Sequence, residues 1–173
     1  YYPSHAQEVP FSKGVNLTNW FQVNNAEEVQ FTKYTKKDFQ DIKSLGCDVI
    51  RLPIDLIAML NENDEVEPLF FFFMDQVIDW AEELEIYLIL DNHHFDPSAN
   101  TPLSIEQDLL EMWAQVSDHY KERSNYVIYE ILNEPHGIAD SDWNAIQKNV
   151  IDEIRKFDSN HTIIVGGAGF NSY

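Results

Sequence analysis

The sequence predicts an α/β protein built on a parallel sheet, and two observations carry the prediction. Five short apolar runs, at residues 14–17, 47–52, 86–90, 126–132 and 162–165, are rich in β-branched or aromatic side chains and too short for typical helices. Their hydrophobicity is nearly continuous, as in strands covered on both faces. Between them lie longer segments with apolar residues at helical spacing. Successive runs fall roughly 30 to 40 residues apart, the length of a βα unit.

Each element has its own signal. After the first run, Gly14-Val15-Asn16-Leu17, Thr35 is placed to cap a helix that turns Phe39, Ile42 and Leu45 inward and stops at Gly46. The second run carries Arg51 near its end. Pro68 then opens a helix with Met74, Val77, Ile78, Ala81 and Leu84 on one face. The third run leads into Asp91-Asn92-His93-His94. Ser104 with Gln107 has capping-box spacing ahead of Ile105, Leu109, Trp113, Val116 and Tyr120. The fourth run ends at Asn133-Glu134-Pro135, where the proline blocks continuation. Ser141 is expected to start the last helix, with Trp143, Ile146, Val150, Ile154 and Phe157 inward.

Two architectures accept this order. A doubly wound open sheet is complete with five strands. An eight-stranded βα barrel typically takes about 250 residues, so this chain would supply just over half of one. The pattern alone favours neither.

Composition narrows the function classes. With 44% hydrophobic and 24% charged residues, the 173-residue chain is an ordinary globular one rather than a disordered one. Eleven basic against thirty acidic residues give a net charge of −19, which repels phosphate backbones, so no nucleic-acid partner is expected. No apolar run approaches the ~20 residues that cross a bilayer, and no membrane partner is expected. The start, polar and proline-containing, lacks a signal-peptide pattern, as a mature secreted chain would. The lone Cys47 excludes an internal disulfide and lies in an apolar run, as an inert core thiol does.

Both candidate folds place active sites at the carboxyl ends of their strands. Those ends hold Asn16 to Trp20, Arg51, His93 with His94, Asn133 with Glu134, and Gly166 to Asn171. Glu134, with rigid backing and open access, is the candidate proton donor. Strand alternation puts Glu130, Leu132 and Glu134 on one face and Asn133 on the other, unless the chain bends there. Glu130 is expected to be buried and therefore paired, with Arg51 as its partner. Arg51 is equally suited to orienting a catalytic carboxylate.

The remaining polar residues read more plainly. His93 and His94 are adjacent and point to opposite faces, so no metal site is expected. His93 would hydrogen-bond at the rim with His94 behind it. His136 follows Pro135 within reach of a substrate, while His5, His119 and His161 read as surface residues. Gly166-Gly167-Ala168-Gly169 lacks the lysine of a P-loop and reads as close packing. Trp80, Trp113 and Trp143 belong to helices, whereas Trp20 could stack on a flat ligand face or belong to the core. Asn16-Leu17-Thr18 and Asn160-His161-Thr162 match the glycosylation sequon, a frequent coincidence.

Together these residues resemble glycoside hydrolase family 5, in its cellulase-like branch. The resemblance rests on Gly14-Val15-Asn16-Leu17 with Asn19-Trp20, Val49-Ile50-Arg51-Leu52-Pro53, Leu90-Asp91-Asn92-His93-His94, the stretch from Tyr129 to Gly137, and Ile164-Val165-Gly166-Gly167. It implies a (β/α)8 TIM barrel, of which the chain holds about the first five strands and four helices. It further implies hydrolysis of β-linked polysaccharide with retention of configuration, endo-acting on β-1,4-glucan, with mannan and mixed-linkage glucan as alternatives and a non-catalytic carbohydrate-binding fragment as a different class. By resemblance Glu134 is the acid/base, Asn133 holds the sugar 2-hydroxyl, Arg51 supports the nucleophile, and His93 lies at the substrate site. Trp20, Asn16, His94 and His136 are further candidate substrate contacts. The nucleophile is expected on a seventh strand, outside these residues. The expected partners are a β-glucan and the carboxy-terminal part of the same barrel, in one polypeptide or as a separate chain. No cofactor is expected, and export follows from a substrate too large to enter a cell.

Overall fold

Five parallel strands pair in strict chain order: β1 (Gly14–Asn16), β2 (Val49–Ile54), β3 (Tyr87–Asn92), β4 (Val127–Glu130) and β5 (Thr162–Ile164). The computed structural model describes residues 9–94 and 98–171. Four helices alternate with the strands: α1 (Lys36–Ser44), α2 (Pro68–Glu83), α3 (Ile105–Tyr120) and α4 (Asp140–Phe157). The strand order separates the two architectures left open by the pattern. A doubly wound sheet reverses direction at a switch point, whereas a barrel steps onward from each strand to the next. This sheet only steps onward.

The two faces of the sheet bury different things. Ile50, Leu52, Ile54, Leu88, Leu90, Val127 and Tyr129 pack outward, joining the core formed with Phe39, Met74, Val77, Leu109, Trp113 and Val150 of the helices. On the opposite face Val49, Ile89 and Ile128 form a small aliphatic layer, closed by Phe11, Tyr87 and Ile164. Two residues further along each strand, the same face carries Arg51, Asp91 and Glu130. Gly14 is required where β1 meets β2, since a Cβ there would lie 2.4 Å from Val49 Cγ1.

The element ends depart from expectation in instructive places. β2 runs two residues beyond Leu52, through Pro53, to Ile54. Leu17 N donates to Arg51 O, so positions 51 and 53 face the β1 side; at Pro53 that neighbour has ended, and no ladder bond needs its missing N–H. β4 stops at Glu130 rather than Leu132, because Ile131 O is taken by Trp113 Nε1 and Asn92 Nδ2 instead of a strand partner.

Thr35 does start α1, its N–H donating to Asp38 Oδ2 at 2.7 Å, and Gly46 ends it at φ +80°. Leu45 and Phe157 are corrections: they are 70% and 41% exposed, at the last turn or just beyond it. Ser104 is another, already helical at φ −63°, ψ −17° with no capping bond from its side chain. Ser141 lies inside the first turn of α4, whose N-cap is Ala139. His161 is not a surface residue either. It is buried between Asp158 Oδ2 and Ser124 O, beneath Tyr129, whose hydroxyl donates to Asp158 at 2.9 Å.

Candidate active site

Arg51 organises the interior face at the carboxyl ends of the strands. Its guanidinium meets Glu130 in a two-point contact, Nε to Oε2 and Nη2 to Oε1, each 2.7 Å. Nη2 also reaches Asp91 Oδ2 at 2.9 Å and Asn133 Oδ1 at 2.9 Å, and Nη1 lies 3.4 Å from Asn16 Oδ1. One cation from β2 therefore ties down groups from β1, β3 and β4. Burial opposes the Arg51 charge, but the Glu130 bonds and the nearby carboxylates outweigh it and hold its pKa above the ordinary value. For Asp91 the balance reverses. Burial, reinforced by the like charge of Glu130, raises its pKa despite the His93 bond and Arg51.

Asn133 and Glu130 reach the same guanidinium, so the alternation expected from Glu130 to Glu134 does not continue past the strand. The chain turns after Glu130, Asn133 N donates to Asn92 O at 2.8 Å, and Glu134 adopts a left-handed backbone at φ +43°. For a residue with a Cβ that conformation costs about 1–2 kcal/mol, which the surroundings must offset. They do so by lacing. Thr101 N donates to His136 O at 2.8 Å, and His136 N donates back to Thr101 Oγ1 at 3.0 Å. His136 Nδ1 donates to Glu134 O at 3.0 Å, while Phe170 N donates to Pro135 O at 3.0 Å. Gly137 completes the turn at φ +66°, where a Cβ would fall 2.1 Å from Asn100 Oδ1.

Glu134 is thereby presented, half-buried, to a cleft of about 380 Å³ shared with His94, Thr101, Leu132, Asn133 and His136. A second cleft, of about 360 Å³, is lined by Gln22, Asn24, Glu28, Asp55 and His93. The histidines at the end of β3 face different partners. His93 Nδ1 lies 2.6 Å from Asp91 Oδ2, and His94 Nδ1 lies 2.9 Å from Asp55 Oδ1. The Asp55 bond raises the His94 pKa against the effect of burial. Among the described residues no cluster of three metal-ligating side chains occurs.

Trp20 is a correction. It is 1% exposed, its Nε1 donates to Gln30 O at 3.1 Å, and Phe21, Phe31 and Tyr34 crowd its ring, leaving no face for a ligand. Asn16, Arg51, Asn133 and Glu130 come together as one group, joined by Asp91; Glu134, His94 and His136 share a cleft, and His93 lines the neighbouring one. Asp91 and Thr101 were not singled out from sequence. Asp91 had a signal: it stands two residues after Ile89, on the interior face, and two before His93. Thr101 had none, being one polar residue of a loop.

Residues 6–173 match the profile described as Cellulase (glycosyl hydrolase family 5). Endoglucanase 3 of Fibrobacter succinogenes is 27% identical over 181 residues, covering 93% of this chain and 27% of that protein. Endoglucanase C of Acetivibrio thermocellus is 26% identical over 178 residues, covering 95% and 52%. Thermotoga maritima Cel5A, solved in complex with cellobiose and with mannotriose, is 27% identical in both structures at a TM-score of 0.82, covering 94% of this chain and 56% and 54% of those chains. The chain thus spans about half the length of Endoglucanase C and of the solved enzyme, and about a quarter of Endoglucanase 3. Its five strands and their helices correspond to about half of such a barrel, and with a profile match running almost from end to end the chain belongs to the cellulase family, glycosyl hydrolase family 5.

Proposed function

We propose that the chain is the amino-terminal part of a retaining endo-β-1,4-glucanase, with Glu134 as its acid/base. The observation that carries the reading is the braced turn at the end of β4. It holds a half-buried carboxylic acid at the edge of a cleft, beside an amide whose oxygen is already committed to Arg51. Because Asn133 Oδ1 accepts from Arg51, its Nδ2 donor is the end turned towards a sugar hydroxyl. Glu134 protonates the leaving glycosidic oxygen and then takes a proton from the attacking water. The nucleophile, about 5 to 5.5 Å from the acid in retaining enzymes, comes from a part of the barrel outside these residues. Arg51, with one cation against Asp91 and Glu130, keeps the interior layer from accumulating two uncompensated carboxylates.

The endoglucanase names of the relatives support glucan as the substrate, and a polymer too large to enter a cell implies an exported enzyme. The mannotriose complex of the Thermotoga enzyme supports mannan as a second substrate class. In the full-length protein, Glu134→Gln is expected to lower turnover of carboxymethylcellulose by at least about a thousandfold while oligosaccharide binding persists. Unchanged turnover removes Glu134 from its role, and binding without turnover in the unsubstituted protein favours a non-catalytic carbohydrate-binding module. Parallel assays on mannan order the two polymers.

A further inference from the structure

Thr101 belongs to no step of that mechanism, yet it grips the turn that carries the acid at two points. Its N–H donates to His136 O at 2.8 Å, and its Oγ1 accepts from His136 N at 3.0 Å. Both backbone polar groups of His136 are thus fixed by one residue of the loop between β3 and α3. His136 passes that hold back towards the acid, since its ring Nδ1 donates to Glu134 O at 3.0 Å. The loop after β5 adds two more links: Phe170 N donates to Pro135 O, and the Phe170 ring stacks on the His136 ring at 4.3 Å and 13°. The turn needs such restraint. Glu134 is held at φ +43°, a state that a residue with a Cβ leaves when its surroundings stop enforcing it. Rotation there re-aims the Cα–Cβ bond, and with it the carboxyl group. The bonds from Thr101 N and Phe170 N are backbone bonds that nearly any residue would make. The Thr101 Oγ1 bond depends on a side-chain oxygen, and so on which residue stands there.

We propose that Thr101 is a positioning residue for the acid/base: its hydroxyl oxygen holds His136 N–H and, through that residue, keeps Glu134 aimed at the glycosidic oxygen. The proposal rests on the role of Glu134 given above. A misaimed acid protonates the leaving oxygen poorly, while the cleft still binds the sugar and the nucleophile still attacks. The loss on removing Thr101 Oγ1 therefore depends on how much the leaving group needs a proton. A sugar alkoxide needs one; a dinitrophenolate, being a weak base, departs without one.

The test compares cellotetraose with dinitrophenyl cellobioside in the full-length protein. For both, kcat/KM covers the steps up to departure of the leaving group, so the later activation of water does not enter. Thr101→Val keeps the shape of the side chain and removes its oxygen. It is expected to lower kcat/KM about tenfold or more on cellotetraose, and less than about twofold on the aryl cellobioside. Thr101→Ser, which keeps the oxygen, is expected to stay within about threefold of the unsubstituted protein on both. An equal loss on the two substrates points to binding or general stability and overturns the proposal. So does full activity of Thr101→Val on cellotetraose, or a Thr101→Ser protein as slow as Thr101→Val. Glu134→Gln is measured beside them. If its losses on the two substrates are equal, the function proposed for Glu134 fails, and this role with it; if only Glu134→Gln separates the substrates, the role of Thr101 alone fails. The unsubstituted protein gives a check that needs no variant to fold. Its His136 amide is expected to exchange slowly with solvent, and exchange at the rate of an open chain overturns the proposal.

Discussion

Arg51 shows how much one side chain can hold. Its two-point bond to Glu130 lies in the interior layer, and removing one member of such a pair leaves the other charged and poorly solvated. Glu130→Gln is expected to destabilise the protein by about 3 kcal/mol, the lower end for breaking a buried pair, because Asp91 stays to partner the cation. Urea unfolding at neutral pH measures it. A second buried carboxylate sets an acid limit. Burial works to raise the Asp158 pKa, but N–H groups of His161 and Asn160 and the hydroxyl of Tyr129 outweigh it, so the folded value lies below 3.8. Its contribution is complete above that value, its unfolded pKa, and is lost as pH falls through the lower folded one. Asp158→Asn is thus expected to flatten the decline in stability below about pH 4, read from Tm against pH. Of these residues, Arg51 and Glu130 were legible as a pair because a charge in an apolar run demands a partner. His161 was not, since its burial comes from a turn that packs under Tyr129, a contact that leaves no periodicity.

At the scale of elements, strands and helices were legible wherever period and punctuation agreed. Pro68 and Gly46 mark their helix boundaries by backbone chemistry alone. Ser104 failed because the capping spacing does not force a capping conformation, and here the chain is already helical one residue earlier. Alternation failed past Glu130 because side chains, Trp113 and Asn92, took over the carbonyl that a fifth strand position would have used. The Glu134 turn shows the same dependence on neighbours. Gly137→Ala places a Cβ against the Asn100 side chain in a left-handed backbone. A loss of about 2 kcal/mol is expected from strain and overpacking, together with a fall in kcat larger than any change in KM. Thermal unfolding and steady-state kinetics on one preparation separate the two effects.

For the molecule as a whole, the sheet has two edges. Beside β1, an open groove is lined by Val15, Leu17, Ile42 and Leu45; beside β5, another includes Ile151, Ile163 and Val165. Leu45, expected inside, lines the margin beside β1 instead, and Phe157 is 41% exposed at the end of α4; a helical pattern cannot tell a core face from a face that awaits a neighbour. A polypeptide of residues 1–173 alone is expected to self-associate through these edges, in spite of its −19 charge, and to bind a hydrophobic dye more strongly than a protein in which further strands cover them. Sedimentation velocity and dye fluorescence report it. A monomeric 20.2 kDa species that cleaves glucan unaided would show that the active unit ends here.

The aliphatic layer of Val49, Ile89 and Ile128, plugged by Phe11, acts as a dry floor beneath the charged cluster. Solvent creeping up from below would dilute every attraction Arg51 makes, because charges interact more weakly as the medium around them becomes more polar. Trimming that floor, as in Ile89→Ala, would leave all the chemical groups in place and still loosen the machinery they compose. The seal beneath this face of the sheet is therefore part of what holds the charged cluster above it together.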